Sequence, residues 1–150
     1  MQVQVSFTPY KESDVKTDAD TSYKRMLVYR SDLRTALAPL LENAGSELDI
    51  FARYIDTHDK NNLKVLGEAA GRYKKAAAST AQVTVPEDAL SYHVGIENAL
   101  LQFAVTLESL IKNADDPMAT LALLRTYNNA EKYVFTSFDA LASYQKRKMP

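Results

Sequence analysis

From Leu90 to Tyr144 the large apolar residues return at intervals of three and four, interrupted once at Asp115-Asp116-Pro117. That interval brings side chains back to one face of an α-helix, whereas a half-buried strand requires strict alternation. The same spacing runs through Leu27, Leu33, Leu37, Leu40, Leu41, Ala44, Leu48, Phe51 and Ile55, and again through Leu63, Leu66, Ala70 and Tyr73. With only 4 Gly and 5 Pro in 150 residues, the chain lacks the turn residues that an all-β domain of many short strands needs. The sequence therefore predicts an all-α fold. Linked amphipathic helices must fold back to hide their stripes, which predicts an antiparallel up-and-down four-helix bundle.

Start and stop signals set the expected boundaries. The first helix is expected to begin between Asp20 and Ser31 and to reach about Asp56. Pro39 within it removes a hydrogen bond and clashes with the preceding turn, so a kink or break is expected near Ala36–Ala38. Asp59 is placed to cap a second helix that ends near Ser79, and no helix is expected from there to Val85. Thr84-Val85-Pro86-Glu87 reads as a capping box opening a third helix to about Ala114. Asp116 as N-cap, with Pro117 at the first helical position, opens a fourth helix to about Lys146. Gln145-Lys146-Arg147-Lys148 then places positive charge where the helix dipole favours it.

Ahead of these helices, residues 1–21 are polar and aperiodic, and are expected to form a tail on a single helical domain of residues 22–150. The alternation Val3, Val5, Phe7 predicts a short extended segment with no strand partner, one that packs along the helices or docks on a partner.

Several function classes are excluded at this level. A formal net charge of −1, from 18 basic and 19 acidic residues, offers no basic face for phosphates, so no nucleic-acid partner is expected. The absence of Cys removes disulfides, thiolate zinc sites and a Cys nucleophile. There is no glycine-rich phosphate loop and no Gly-x-Ser-x-Gly elbow. A carboxylate-bridged dimetal site needs two Glu-x-x-His pairs, and neither His58 nor His93 has Glu three residues before it. His93 and Glu97 alone are an incomplete metal set. No catalytic residue, metal or cofactor is expected. No uninterrupted apolar run approaches about 18 residues, so no transmembrane segment is expected. Met1–Phe7 lacks the basic and apolar regions of a signal peptide.

One polar group stands out. His93 falls on the apolar side of the third helix, with Glu97 one turn later and Asn98 beside it, while Asn128 and Glu131 lie near the inward side of the fourth. His93, Glu97, Asn98, Asn128 and Glu131 could line a pocket for a small polar ligand. Equally, they could satisfy one another as a buried layer that fixes helix register. His58, in the turn before the second helix, is expected to be exposed. The 9 Tyr fall mostly near helix ends, where a ring packs while its hydroxyl reaches water.

Val85-Pro86, His93, Glu97-Asn98, Asp116-Pro117 and Tyr127 together resemble a two-helix pattern of uncharacterised helical bacterial proteins, in which Val-Pro, an inward His, an Asn and an Asp-Pro turn recur. The resemblance implies a helical domain, often exported or membrane-anchored, and assigns no activity. The resulting expectation is a non-enzymatic interaction or structural module of a bacterial cell envelope or assembly. It would bind another protein through its N-terminal arm and exposed Tyr residues, with oligomerisation left open. The alternative is a sensory bundle that binds a small ligand at the polar layer.

Overall fold

Pro39 divides the first expected helix into separate pieces. The computed structural model describes residues 5–43 and 45–150; Val3 and Ala44 of the patterns above lie outside them. Helix α1 spans Tyr23–Ala36, capped by the Ser22 hydroxyl accepting from the Arg25 amide. A 3-10 turn with Pro39 in its first positions follows at Ala38–Glu42. Helix α2 begins afresh at Glu47–Thr57, with the Ser46 hydroxyl accepting from the Asp49 amide. Helices α3 (Lys60–Ala81), α4 (Leu90–Lys112) and α5 (Pro117–Lys148) complete the chain. The fold is all-α, with five α-helices among the described residues where four were expected, the first with a kink or break near Pro39.

The other boundaries follow their signals with one exception. Asp59 caps α3 by accepting from the Asn61 amide, and Asp116 caps α5 by accepting from the Met118 and Ala119 amides. Thr84-Val85-Pro86-Glu87 does not form the expected capping box. The Val85 amide instead donates to the Lys16 carbonyl at 2.9 Å, and strand β1 (Thr17–Asp18) pairs in parallel with β2 (Val85–Pro86). Backbone pairing takes up this stretch, a 3-10 turn covers Glu87–Ala89, and α4 starts at Leu90. The second helix also runs past Ser79, to Ala81.

The same pairing corrects the picture of the tail. Residues 5–21 are fastened at several points. Val15 is buried, the Tyr10 amide donates to Asn98 Oδ1 at 2.7 Å, and Asn98 Nδ2 donates back to the Tyr10 carbonyl. Arg25 bonds both the Asp18 carboxylate and the Thr84 carbonyl, closing the short sheet against α1. Val5 and Phe7 are half-buried and form no strand.

Packing builds two apolar clusters along one axis. The first gathers Phe51 and Tyr54 of α2, Leu66 and Ala70 of α3, Phe103 and Leu107 of α4, and Leu123 and Tyr127 of α5. The second gathers Met26, Tyr29 and Leu33 of α1, Ala76 and Ala77 of α3, Ile96 and Leu100 of α4, and Leu141 and Tyr144 of α5. Helix α3 thus runs from the first cluster to the second, α4 returns and α5 crosses again, so neighbours in this trio are antiparallel. Helices α1 and α2 each cover one cluster. Being central, α4 is apolar enough over Glu87–Lys112 to pass for a membrane span by length and mean hydropathy (1.3), although no uninterrupted apolar run occurs there. Over half of that window (56%) is buried against the rest of the protein.

The inward stripes differ in phase from the expected ones. In α1 the buried residues are Met26, Tyr29, Leu33 and Ala36, and Leu27 faces out. In α5 they are Ala119, Leu123, Tyr127, Ala130, Ser137, Leu141 and Tyr144, while Leu121 and Phe135 are 64% and 62% exposed. Small residues at 119, 130 and 137 let α5 approach its neighbours closely, and a larger side chain there would hold it off.

Two leucines test this assignment. Leu66→Ala, at a fully buried site, should cost about 2–5 kcal/mol of unfolding free energy in urea titrations, and Leu121→Ala about 0.5 kcal/mol or less.

Candidate functional site

Residues able to do chemistry lie in the sealed interior and beside one open groove. His93 and Glu97 lie one turn apart on α4, and both are fully buried. His93 Nε2 is 2.8 Å from the Thr80 carbonyl oxygen and Nδ1 is 2.8 Å from the Tyr29 hydroxyl. A carbonyl can only accept, so Nε2 carries a hydrogen, and in the tautomer with hydrogen on Nε2 alone Nδ1 accepts from the Tyr29 hydroxyl. One imidazole therefore ties α4 to α3 and α1. Glu97 Oε1 is 3.0 Å from Nε2, yet the N–H points at Thr80 and neither Glu97 oxygen receives a hydrogen bond. Burial and the Glu97 charge both push the Tyr29 hydroxyl well above the ordinary tyrosine range.

The other three residues of the expected layer go elsewhere. Asn98 faces the tail and holds the Tyr10 backbone. Asn128 is exposed. Glu131 is half-buried and accepts from the Tyr127 hydroxyl at 3.1 Å. The reason is helical phase: the buried stripe of α5 passes through Tyr127 and Ala130, leaving 131 at its edge and 128 on the outer face. Among the described residues no group of three or more His, Asp and Glu is arranged to hold a metal. His93 joins α4 to α3 through Thr80 and to α1 through Tyr29, and both it and Glu97 are fully buried.

Tyrosine does more than the sequence reading allows. Tyr54 donates to Asp115 at 2.7 Å, Tyr144 to Asp88 at 2.7 Å and Tyr73 to Glu47 at 3.3 Å. With Tyr29 on His93 and Tyr127 on Glu131, these hydroxyls meet acid or imidazole partners where water was expected.

The open site lies between α2 and the start of α5. A groove of about 760 Å³ has walls of Leu48, Phe51 and Ile55 from α2 and of Pro117, Leu121 and Leu124 from α5. Its polar lining is Asp56, His58, Asp115 and Thr120, with no Lys or Arg. His58 ends α2 at φ 55°, in the left-handed region usually taken by Gly or Asn, with its ring centroid 5.4 Å from that of Tyr54. Beyond Leu48, Glu47 is buried and accepts from the Tyr73 hydroxyl, outside the lining of the groove. Burial raises the Glu47 carboxyl above the usual range, and the nearby Glu131 charge adds to the effect.

The sequence reading missed this groove because Ile55 and Leu121 were assigned to the core. The signal was present: Leu121 lies roughly 200° around the helix from Leu123 at 100° per residue, so both cannot face one interior. Compared with known protein families, characterised proteins and solved structures, the chain finds no match.

Two outcomes follow. His93→Ala should cost about 2–5 kcal/mol in urea unfolding, because it strands the Thr80 carbonyl and the Tyr29 hydroxyl in a dry interior and leaves a cavity. Glu47 is a carboxyl whose folded pKa is raised, so folding favours its protonated form. Its contribution is therefore present in acid and is lost as pH rises through the folded pKa. Glu47→Gln should be more stable than the wild type at pH 7, and the difference should vanish on titration to acid below the usual carboxylate range.

Proposed function

We propose that this protein is a non-enzymatic helical module that binds another protein through the groove between α2 and α5. The observation that carries the reading is a contrast. The polar layer around His93 is closed and internally bonded, while Ile55, Leu121 and neighbouring apolar side chains are left in water beside a formed cleft. Exposed apolar residues gathered at one cleft, rather than scattered, are the usual mark of an interaction surface. In this reading the architecture is a four-helix bundle whose first position is shared by α1 and α2. The tail from Val5 onward packs against the helices, so the groove replaces it as the principal contact. Placement in a bacterial cell envelope rests on the Val-Pro, His, Asn and Asp-Pro resemblance.

A second reading draws on the size of the groove. Its volume falls in the range of about 300–1,000 Å³ typical of small-ligand sites, so a sensory bundle would bind an apolar compound there instead of at His93.

Photo-crosslinking in the native cell separates the two. A photoreactive residue at Leu121 or Ile55 should give a discrete protein adduct, and one at Glu68 or Lys75 on the outer face of α3 should not. No adduct from the groove positions, together with a small apolar compound that raises the unfolding midpoint of the wild type but not of Leu121→Glu, would reject the protein-binding reading in favour of the sensor.

A further inference from the structure

We infer that the α2/α5 groove receives an amphipathic helix of a partner protein that carries Lys or Arg at the end of its apolar stripe that meets Asp56 and Asp115. The inference rests on the protein-binding reading above and gives the partner its chemistry.

The walls belong to two antiparallel helices, whose backbone amides and carbonyls are already bonded within each helix. The groove therefore presents side chains only. An extended peptide would find no sheet edge to pair with and would have to bury its own backbone groups unpaired, at a cost of ~1–3 kcal/mol for each. A helix brings its backbone bonds with it, and lays an apolar stripe into such a cleft at i, i+3, i+4 and i+7.

Charge fixes one flank. Asp56 and Asp115 stand at one end of the apolar floor, and no Lys or Arg lines the groove to neutralise them. The same carboxylates repel an anionic lipid surface, which separates this site from membrane docking.

The test uses synthetic peptides and the full chain. A four-turn helical peptide with Leu at i, i+3, i+4 and i+7 and two Lys at one end is compared by fluorescence anisotropy with its counterpart that carries Glu at that end. The Lys peptide should bind at least tenfold more tightly at low salt, with the gap narrowing as salt is added. Leu121→Glu should weaken it at least tenfold. Asp56→Lys, at an exposed site where a helix end tolerates a cation, should weaken the Lys peptide and improve the Glu peptide. Equal binding of both peptides, still lost in Leu121→Glu, overturns the charge inference and leaves the protein-binding reading intact. Binding of neither peptide, or binding indifferent to Leu121→Glu, overturns the groove as the helix site. Leu121-dependent sedimentation of the protein with phosphatidylserine vesicles would replace the helix with a membrane.

Discussion

The seam between α3 and α4 is the contact on which the other elements depend, and His93 closes it. The Thr80 carbonyl lies in the last turn of α3, where it also accepts the Val83 amide at 3.1 Å. Its remaining lone pair is buried, and the imidazole N–H satisfies it from the neighbouring helix. The opposite ring nitrogen then positions Tyr29, the largest fully buried side chain of α1. An apolar residue at 93 would fill the volume and leave the Thr80 carbonyl one bond short and the Tyr29 hydroxyl without a partner, so the position selects for a donor and an acceptor on one rigid ring. Glu97 is the cost of this arrangement, a carboxyl group held 3.0 Å from the ring without a hydrogen bond of its own.

Around that seam, small residues do what large ones do in most cores. Ala69, Ala70, Ala76 and Ala77 on α3 and Ala99 and Ala104 on α4 are buried, as are Ala119 and Ala130 on α5. Close helices leave fewer inward places for large side chains. Leu121 and Phe135 are consequently turned out on α5, as Ile55 is on α2. The exposed apolar residues and the tight interior thus share one cause.

Much of the fold was legible before any coordinates. Helical content, the break at Pro39 and the Asp59 and Asp116 caps follow from local rules that need no tertiary partner. What failed was non-local. The Thr84–Glu87 stretch carries a capping-box pattern, and only the arrival of Thr17 from sixty-odd residues away diverts Val85 into a sheet. The polar layer failed for a related reason. Asn128 and Glu131 were placed by proximity to apolar neighbours, although the phase set by Tyr127 and Ala130 turns them away. His93 and Glu97 were found because a four-residue interval on one helix is a local fact. The groove was hidden by treating every Leu as core, when α5 carries more apolar residues than one face can bury.

The division at Pro39 has a dynamic consequence. Because α1 covers only the second apolar cluster and α2 only the first, either can detach while the α3–α4–α5 frame keeps the other cluster sealed. A single continuous helix would have to leave both at once. The chain is thus equipped for sub-global opening, with amide hydrogens of α2 and of the Pro39 turn exchanging ahead of those in α4. Such an opening of α2 would widen the cleft it shares with α5 without disturbing His93, so the cleft can breathe while the interior stays shut.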